Sequence, residues 1–169
     1  MWRTSSDQSA YATPMKKRSG ASCGWSMKNF HILERNMSVD IITQAALCLA
    51  MNVYHEARSE DLLGQLAVAE VTLNRVASDK YPDEICDVVW QRRQFSWTHD
   101  GKSDVPIEPE AWRIAQAIAT VAMQQEEPRA VSEGVLFYHA DYVEPYWAAS
   151  FHMSVQYGSH IFYQETASR

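Results

Sequence analysis

The chain has 169 residues, enough for one domain with a real core and too few for two comfortable ones. Apolar residues make up 46% and charged residues 21%, which excludes a disordered or fibrous chain. The net charge of -6 divides unevenly: through Met37 six Lys and Arg face two acids, a net of +4, leaving -10 for the remainder. An acidic body of this kind excludes nucleic acid as the main ligand, because counterion release needs clustered Lys and Arg.

Residues 1–37 are rich in Ser, Thr, Gly, Lys and Arg without a sustained period, and read as a basic, flexible arm. Such an arm suits contact with an anionic partner such as a cell envelope; a solvated extension is the plainer alternative. No apolar run follows its basic residues, so a cleaved secretory signal is not expected. The longest apolar run, "AALCLAM", falls far short of the ~18 to 20 residues of a membrane span.

The first strong element begins at Ser38 or Asp40 as cap and carries Ile41, Ile42, Ala45, Leu49, Met51 and Val53, apolar nearly all round as in a buried central helix. It ends on "NVYHEARSE", residues 52–60. Glu56 there emerges from the wall of the core, where desolvation raises a carboxyl pKa. Two readings stand: a proton donor held half dry, or a surface carboxylate pairing with Arg58.

"DLLG" reads as a turn, and Gln65 to Ala77 as a second helix with Leu66, Ala69, Leu73 and Val76 on one face. Pro82 breaks the chain before a short helix, "DEICDVVWQ", and "QFSWTHDG" follows as a loop closed by Asp100-Gly101. Pro109 suits the first position of a long helix, "PEAWRIAQAIATVAMQQEE", which stops before Pro128. The period then changes. "GVLFYHA" and "HIFYQ" read as strands joined by an aromatic loop, "DYVEPYWAASFHMSVQYGS". His139 and His160 lie in those strands and could meet across the pair.

Of the three cysteines, Cys48 and Cys86 fall in helical patterns, where a bridge and two buried thiols are both open. With no C-x-x-C, no H-x-x-x-H and no H-E-x-x-H, a zinc site is not expected; without G-x-S-x-G or a glycine-rich loop, neither is a serine hydrolase or a nucleotide site. No cofactor is called for. The second half is dense in aromatics interleaved with polar groups such as Gln94, Ser96, His99 and Asp141, a composition that suits stacking on sugar rings and binding their hydroxyls.

Taken together, "LCLAMNVYHEARSEDLLGQLAVAEVTLNRV", "YPDEICDVVWQRRQFSW", "VLFYHADYVEPYW" and "YGSHIFYQ" resemble the SleB-type cell wall hydrolases, over about Ala45 to Gln164. The resemblance implies an α+β, lysozyme-like fold, a mostly helical single domain (38–169) with a small antiparallel β element near the C-terminus. It implies cleavage of the β-1,4 bond between N-acetylmuramic acid and N-acetylglucosamine in peptidoglycan, with the Glu of Y-x-E-A-R, Glu56, as catalytic acid. It places Gln65, Asn74, Arg75, Phe95, Ser96, Trp97, Tyr138, His139, His160 and Tyr163 in or around the glycan groove. The family commonly has Gly where this chain has Ser59, and I-G-x-H where it has Tyr157 before Gly158; these departures bear on loop shape more than on the acid.

A hydrolase of the usual type needs a second carboxylate, ~5 to 9.5 Å from the first, and Glu60, Glu70, Asp100 and Asp141 are the candidates by sequence. None falls in a motif position marked for that role. A lytic transglycosylase needs one carboxylate and is the favoured expectation; a hydrolytic muramidase, a zinc amidase and a noncatalytic murein-binding virion protein are the alternatives. A catalytic domain with a basic arm fits a phage endolysin, made in the host cytoplasm and released to the wall through a holin lesion.

Overall fold

The computed structural model describes residues 30–124 and 128–165, with side chains from Thr43 onward. Residues 1–29, which hold most of the expected arm, lie outside the described residues.

Helix α1 runs Phe30–Ala57, starting eight residues before the expected cap at Ser38. Nothing between Phe30 and Met37 is Pro or Gly, and Leu, Glu, Arg and Met there are good helix formers, so a Ser at position 38 does not interrupt the turn. Helix α2, Leu62–Val76, also starts earlier than expected. Its N-cap is Asp61, whose Oδ1 accepts the Gly64 N–H at 2.7 Å, so "DLLG" forms the cap and first turn of the helix. Helix α3 is Ile85–Val89, a 3-10 turn spans Ser96–His99 within the expected loop, and α4 is Pro109–Gln124. Pro109 opens α4, where its missing N–H costs nothing.

Three strands follow where two were expected: β1 Val135–Ala140, β2 Phe151–Tyr157 and β3 His160–Glu165. They form an antiparallel sheet in the order β1-β3-β2. The additional strand, β2, lies inside the segment read as an aromatic loop. Phe151, Met153, Val155 and Tyr157 alternate with polar residues, the period of a strand, and a register shift between Met153 and Val155 divides them between the two faces of the sheet.

Helices α1, α2 and α4 share one core of Leu49, Ala50, Val53, Tyr54, Ala69, Leu73, Ala115, Ala119 and Ala122. The three alanines of α4 recur on one face and let its backbone approach closely. The opposite side of α2 packs Ala67, Val68 and Val71 against Val131, Val135 and the fully buried Phe162, so α2 is the plate between helices and sheet. Burying each such Val, Leu or Phe contributes about 1.5–3 kcal/mol. A third cluster, Val89, Phe95 and Trp97, rests on Cys48, Met51, Ile85 and Tyr138.

Cys48 and Cys86 are bridged, their Cα atoms 5.3 Å apart, so α3 is tied covalently to α1. Among the described residues no helix is long and apolar enough to cross a membrane.

Candidate active site

Glu56 stands in the last turn of α1, half-buried, flanked by the buried Val53 and Ala57. The hydroxyl of Tyr138, reaching from β1, donates to Glu56 Oε2 at 3.2 Å. Burial raises the Glu56 pKa from 4.5 to about 7, against the opposing pull of the Tyr138 hydrogen bond and the Arg75 charge. Burial and the neighbouring carboxylate push the Tyr138 hydroxyl well above its ordinary value, so it stays a donor at neutral pH. A carboxyl that straddles neutrality beside a fixed donor is suited to give up and recover a proton.

Arg75 is buried on α2 and donates from Nε to the Leu136 carbonyl at 2.9 Å. Its guanidinium lies over the rings of Phe95 and Tyr81, 5.5 and 5.4 Å from their centroids. Next to it, Asn74 Nδ2 donates to the Ser132 and Val135 carbonyls, both at 2.9 Å, and Asn74 Oδ1 accepts from Arg129. Adjacent side chains of α2 thus clip the start of β1, which sets how far Tyr138 stands from Glu56. Asn74 is committed to this clip.

The residue before Glu56 is fixed as well. His55 stacks on Trp97, and its Nε2 lies 2.9 Å from the Asp104 carbonyl, which requires the proton on Nε2. Tyr54 accepts the N–H groups of Ile107 and Glu108 on its hydroxyl, both at 3.1 Å. Phe95 and Trp97 are buried in the wall beneath, and Ser96 is exposed between them.

The charged groups of this turn are engaged away from Glu56. Arg58 pairs with Glu108, Nε to Oε1 at 2.9 Å, and not with Glu56 or Glu60. Glu60 has a side chain only 8% exposed and accepts hydrogen bonds from the backbone N–H and the hydroxyl of Ser159. Gln65 is buried too, donating from Nε2 to the Glu60 carbonyl at 3.1 Å.

The sheet divides the remaining predicted residues. In β1 and β3, His139 pairs with Ile161 and His160 with Ala140, one position out of step. The two histidines therefore face opposite sides and do not meet, since a single residue of register reverses the face. Tyr138 and His160 share the helix-facing side, their rings edge-on at 5.4 Å. His139 and Tyr163 lie on the other: the rings stack at 5.1 Å, and the Tyr163 hydroxyl lies 3.0 Å from His139 Nε2. The Nδ1–H of His139 faces the Ala140 carbonyl at 2.9 Å, so Nε2 is the acceptor. Phe137, Trp147 and Phe151 complete that outer aromatic face. Glu56, Arg75, Phe95, Tyr138 and His160 are brought together; His139 and Tyr163 are kept apart from them by the thickness of the sheet.

Of the four further carboxylates, Glu60 is occupied by Ser159, and Glu70 accepts the Val131 N–H at 2.8 Å with Arg129 beside it. Asp100 is bound to Lys102, and Asp141 is exposed near His160. Among the described residues, no cluster of three His, Cys, Asp or Glu is arranged to hold a metal ion.

Residues 59–163 match the cell wall hydrolase family. The chain belongs to it. The catalytic domain of the germination-specific lytic transglycosylase SleB from Bacillus anthracis superposes with a TM-score of 0.60 at 30% identity, covering 71% of this chain and 93% of that one. The catalytic domain of Bacillus cereus SleB gives 0.58 at 31% identity, covering 72% and 91%. These likenesses identify the chain as a SleB-type cell wall hydrolase with an α+β fold. The spore cortex-lytic enzyme of Halalkalibacterium halodurans is 32% identical over 115 residues, 68% of this chain and 33% of that protein. That of Bacillus cereus is 44% identical over 54 residues, 32% and 21%. The chain thus spans a fifth to a third of the length of these curated relatives.

Proposed function

We propose that this SleB-type protein degrades peptidoglycan as a lytic transglycosylase, with Glu56 as its single catalytic carboxyl. The observation that carries the reading is Glu56 itself: half-buried, hydrogen-bonded by Tyr138 and with a pKa raised to about 7. The substrate follows from the family and from the SleB domains that the chain resembles.

In the proposed reaction Glu56 donates its proton to the oxygen of the β-1,4 bond between N-acetylmuramic acid and N-acetylglucosamine as positive charge develops on the muramic ring. The carboxylate left behind then takes the proton of the 6-hydroxyl of that ring as its oxygen attacks C1, closing a 1,6-anhydro product. Tyr138 steadies Glu56 through both transfers, and Arg75 offsets its negative charge between them. The engagement of Glu60, Glu70 and Asp100 with other partners favours the one-carboxylate route over hydrolysis with a second.

Mass spectrometry of soluble products from purified peptidoglycan tests this reading. Anhydro-muropeptides from the wild type and none from Glu56→Gln are expected; reducing-end muramic acid would replace transglycosylation by hydrolysis, and undiminished cleavage by Glu56→Gln would overturn the assignment of the acid.

For the setting, we assign residues 38–169 to the catalytic unit and the basic segment before it to contact with an anionic envelope, as in a phage endolysin reaching the wall through a membrane lesion. Deleting residues 1–29 leaves α1 whole and is expected to slow lysis of intact cells without changing cleavage of purified wall.

A further inference from the structure

Glu60 lies four residues beyond Glu56, and its carboxylate joins parts of the chain that are distant in sequence. Oε2 accepts the Ser159 N–H at 3.1 Å and Oε1 accepts the Ser159 hydroxyl. His160 Nδ1 stands 3.4 Å from Oε1. The turn between β2 and β3 is shaped around this group: Gly158 has φ +53°, and a Cβ there would collide with Glu60 Oε2. Gln65 holds the Glu60 backbone from α2. A nearly buried carboxylate with this many partners is a built anchor, unlike a solvated end-of-helix charge.

The anchor leads back to Glu56. Glu60 fixes the turn that carries His160, the ring of His160 packs edge-on against that of Tyr138, and Tyr138 donates to Glu56. We propose that Glu60 is a positioning residue for the proton donor, acting through His160 and Tyr138 to hold the Tyr138 hydroxyl on Glu56. The proposal rests on the reading of Glu56 as that donor. It also accounts for a second carboxylate so close in sequence to the first without giving it a share in bond cleavage.

The charged and titratable groups facing Glu56 are Tyr138 from β1 and Arg75 from α2; Glu60 and Asp141 act on His160 from its own side of the sheet, and the charge of His139 reaches it from the opposite face. Releasing Tyr138 removes a hydrogen bond that holds the Glu56 pKa down, so weakening the anchor moves that pKa upward.

The test titrates the Glu56 carboxyl by carbon-detected NMR in wild type, Glu60→Gln and Glu60→Ala, alongside kcat and KM for solubilised glycan strands across pH. Glu60→Gln, whose amide can still exchange hydrogen bonds with Ser159, is expected to keep the wild-type titration and a kcat within about threefold. Glu60→Ala is expected to raise the Glu56 midpoint, move the alkaline limb of the rate profile with it, and lower kcat about 10- to 100-fold at little change in KM. Should Glu60→Ala not fold, Ser159→Ala weakens the same anchor and is expected to shift the midpoint in the same direction. An unmoved Glu56 midpoint in the folded Ala variants would overturn the proposal, as would a loss in Glu60→Gln as deep as that in Glu56→Gln, which would make Glu60 a second catalytic carboxylate. Because the titration does not depend on turnover, it separates failure of the anchor from failure of Glu56 as the acid, which retained cleavage by Glu56→Gln would reveal.

Discussion

The imidazole of His55 lies flat on the indole of Trp97, centroids 4.4 Å apart and planes 20° from parallel. The contact ties the 3-10 turn to the last turn of α1, one residue before Glu56. Trp97 is also packed with Val89 and Phe95, with Tyr138 against them. Trp97→Ala is therefore expected to cost about 3–5 kcal/mol in urea unfolding. The same change admits water beneath Glu56 and brings its titration midpoint down toward 4.5, the unburied value, whereas Trp97→Phe keeps a ring on His55 and most of the elevation. A midpoint unchanged in Trp97→Ala would remove this wall from the account of the Glu56 pKa.

Glu56 also has a cost in stability. Its folded pKa of about 7 exceeds the ordinary 4.5, so the fold prefers the protonated form. That preference contributes fully below pH 4.5, is lost as pH rises toward 7, and is absent above it. Glu56→Gln, which cannot ionise, is expected to match the wild type near pH 4 and to exceed it by up to about 3 kcal/mol at pH 8. Denaturant melts at the two pH values decide; an equal difference at both would mean that the gain has another source.

How far the sequence discloses this site depends on which contacts are local. Helix α4 is legible from Pro109 and its apolar spacing, and Glu56 from its place at the end of an apolar helix. The partners of Glu60 are 99 residues away, and no local pattern distinguishes its buried carboxylate from a solvated one. The opposite facing of His139 and His160 depends on register, in a ladder that shifts between Val135 and Phe137. Strand β2 was hidden because its many aromatics invite a binding-loop reading, although every second residue from Phe151 to Tyr157 is apolar. Tyr138 was marked by the family resemblance alone, since its bond to Glu56 spans 82 residues.

Gly158 carries two constraints at once, a left-handed φ and the absence of a Cβ against Glu60. Gly158→Ala must shift the Glu60 carboxylate off Ser159 as well as adopt a conformation costing about 1–2 kcal/mol. A loss of about 2–4 kcal/mol is expected, measured by thermal or urea unfolding. Because Glu60→Ala clears the space, the double variant should lose less than the sum of the two single changes. Strict additivity would count against the collision.

The Cys48–Cys86 bridge closes a span of 38 residues. Restricting the unfolded chain to that extent contributes about 3–4 kcal/mol in the chain-entropy account. Cys86→Ser, or incubation with a thiol reductant, is expected to lower the melting temperature by several degrees, with about 4 °C or less lost per kcal/mol in a chain of this size. An identical melt for oxidised and reduced protein would show that the bridge constrains little beyond what packing already fixes.

The sheet order β1-β3-β2 places the last strand to be synthesised between the two made before it. During vectorial synthesis, Glu56 leaves the ribosome more than 100 residues before His160 and Phe162 follow. Until they do, β1 and β2 have no central strand to pair with, and Tyr138 has no sheet to hold it against α1. A nascent chain short of β3 is thus an unassembled catalyst, and competence arrives only with the insertion of one six-residue strand.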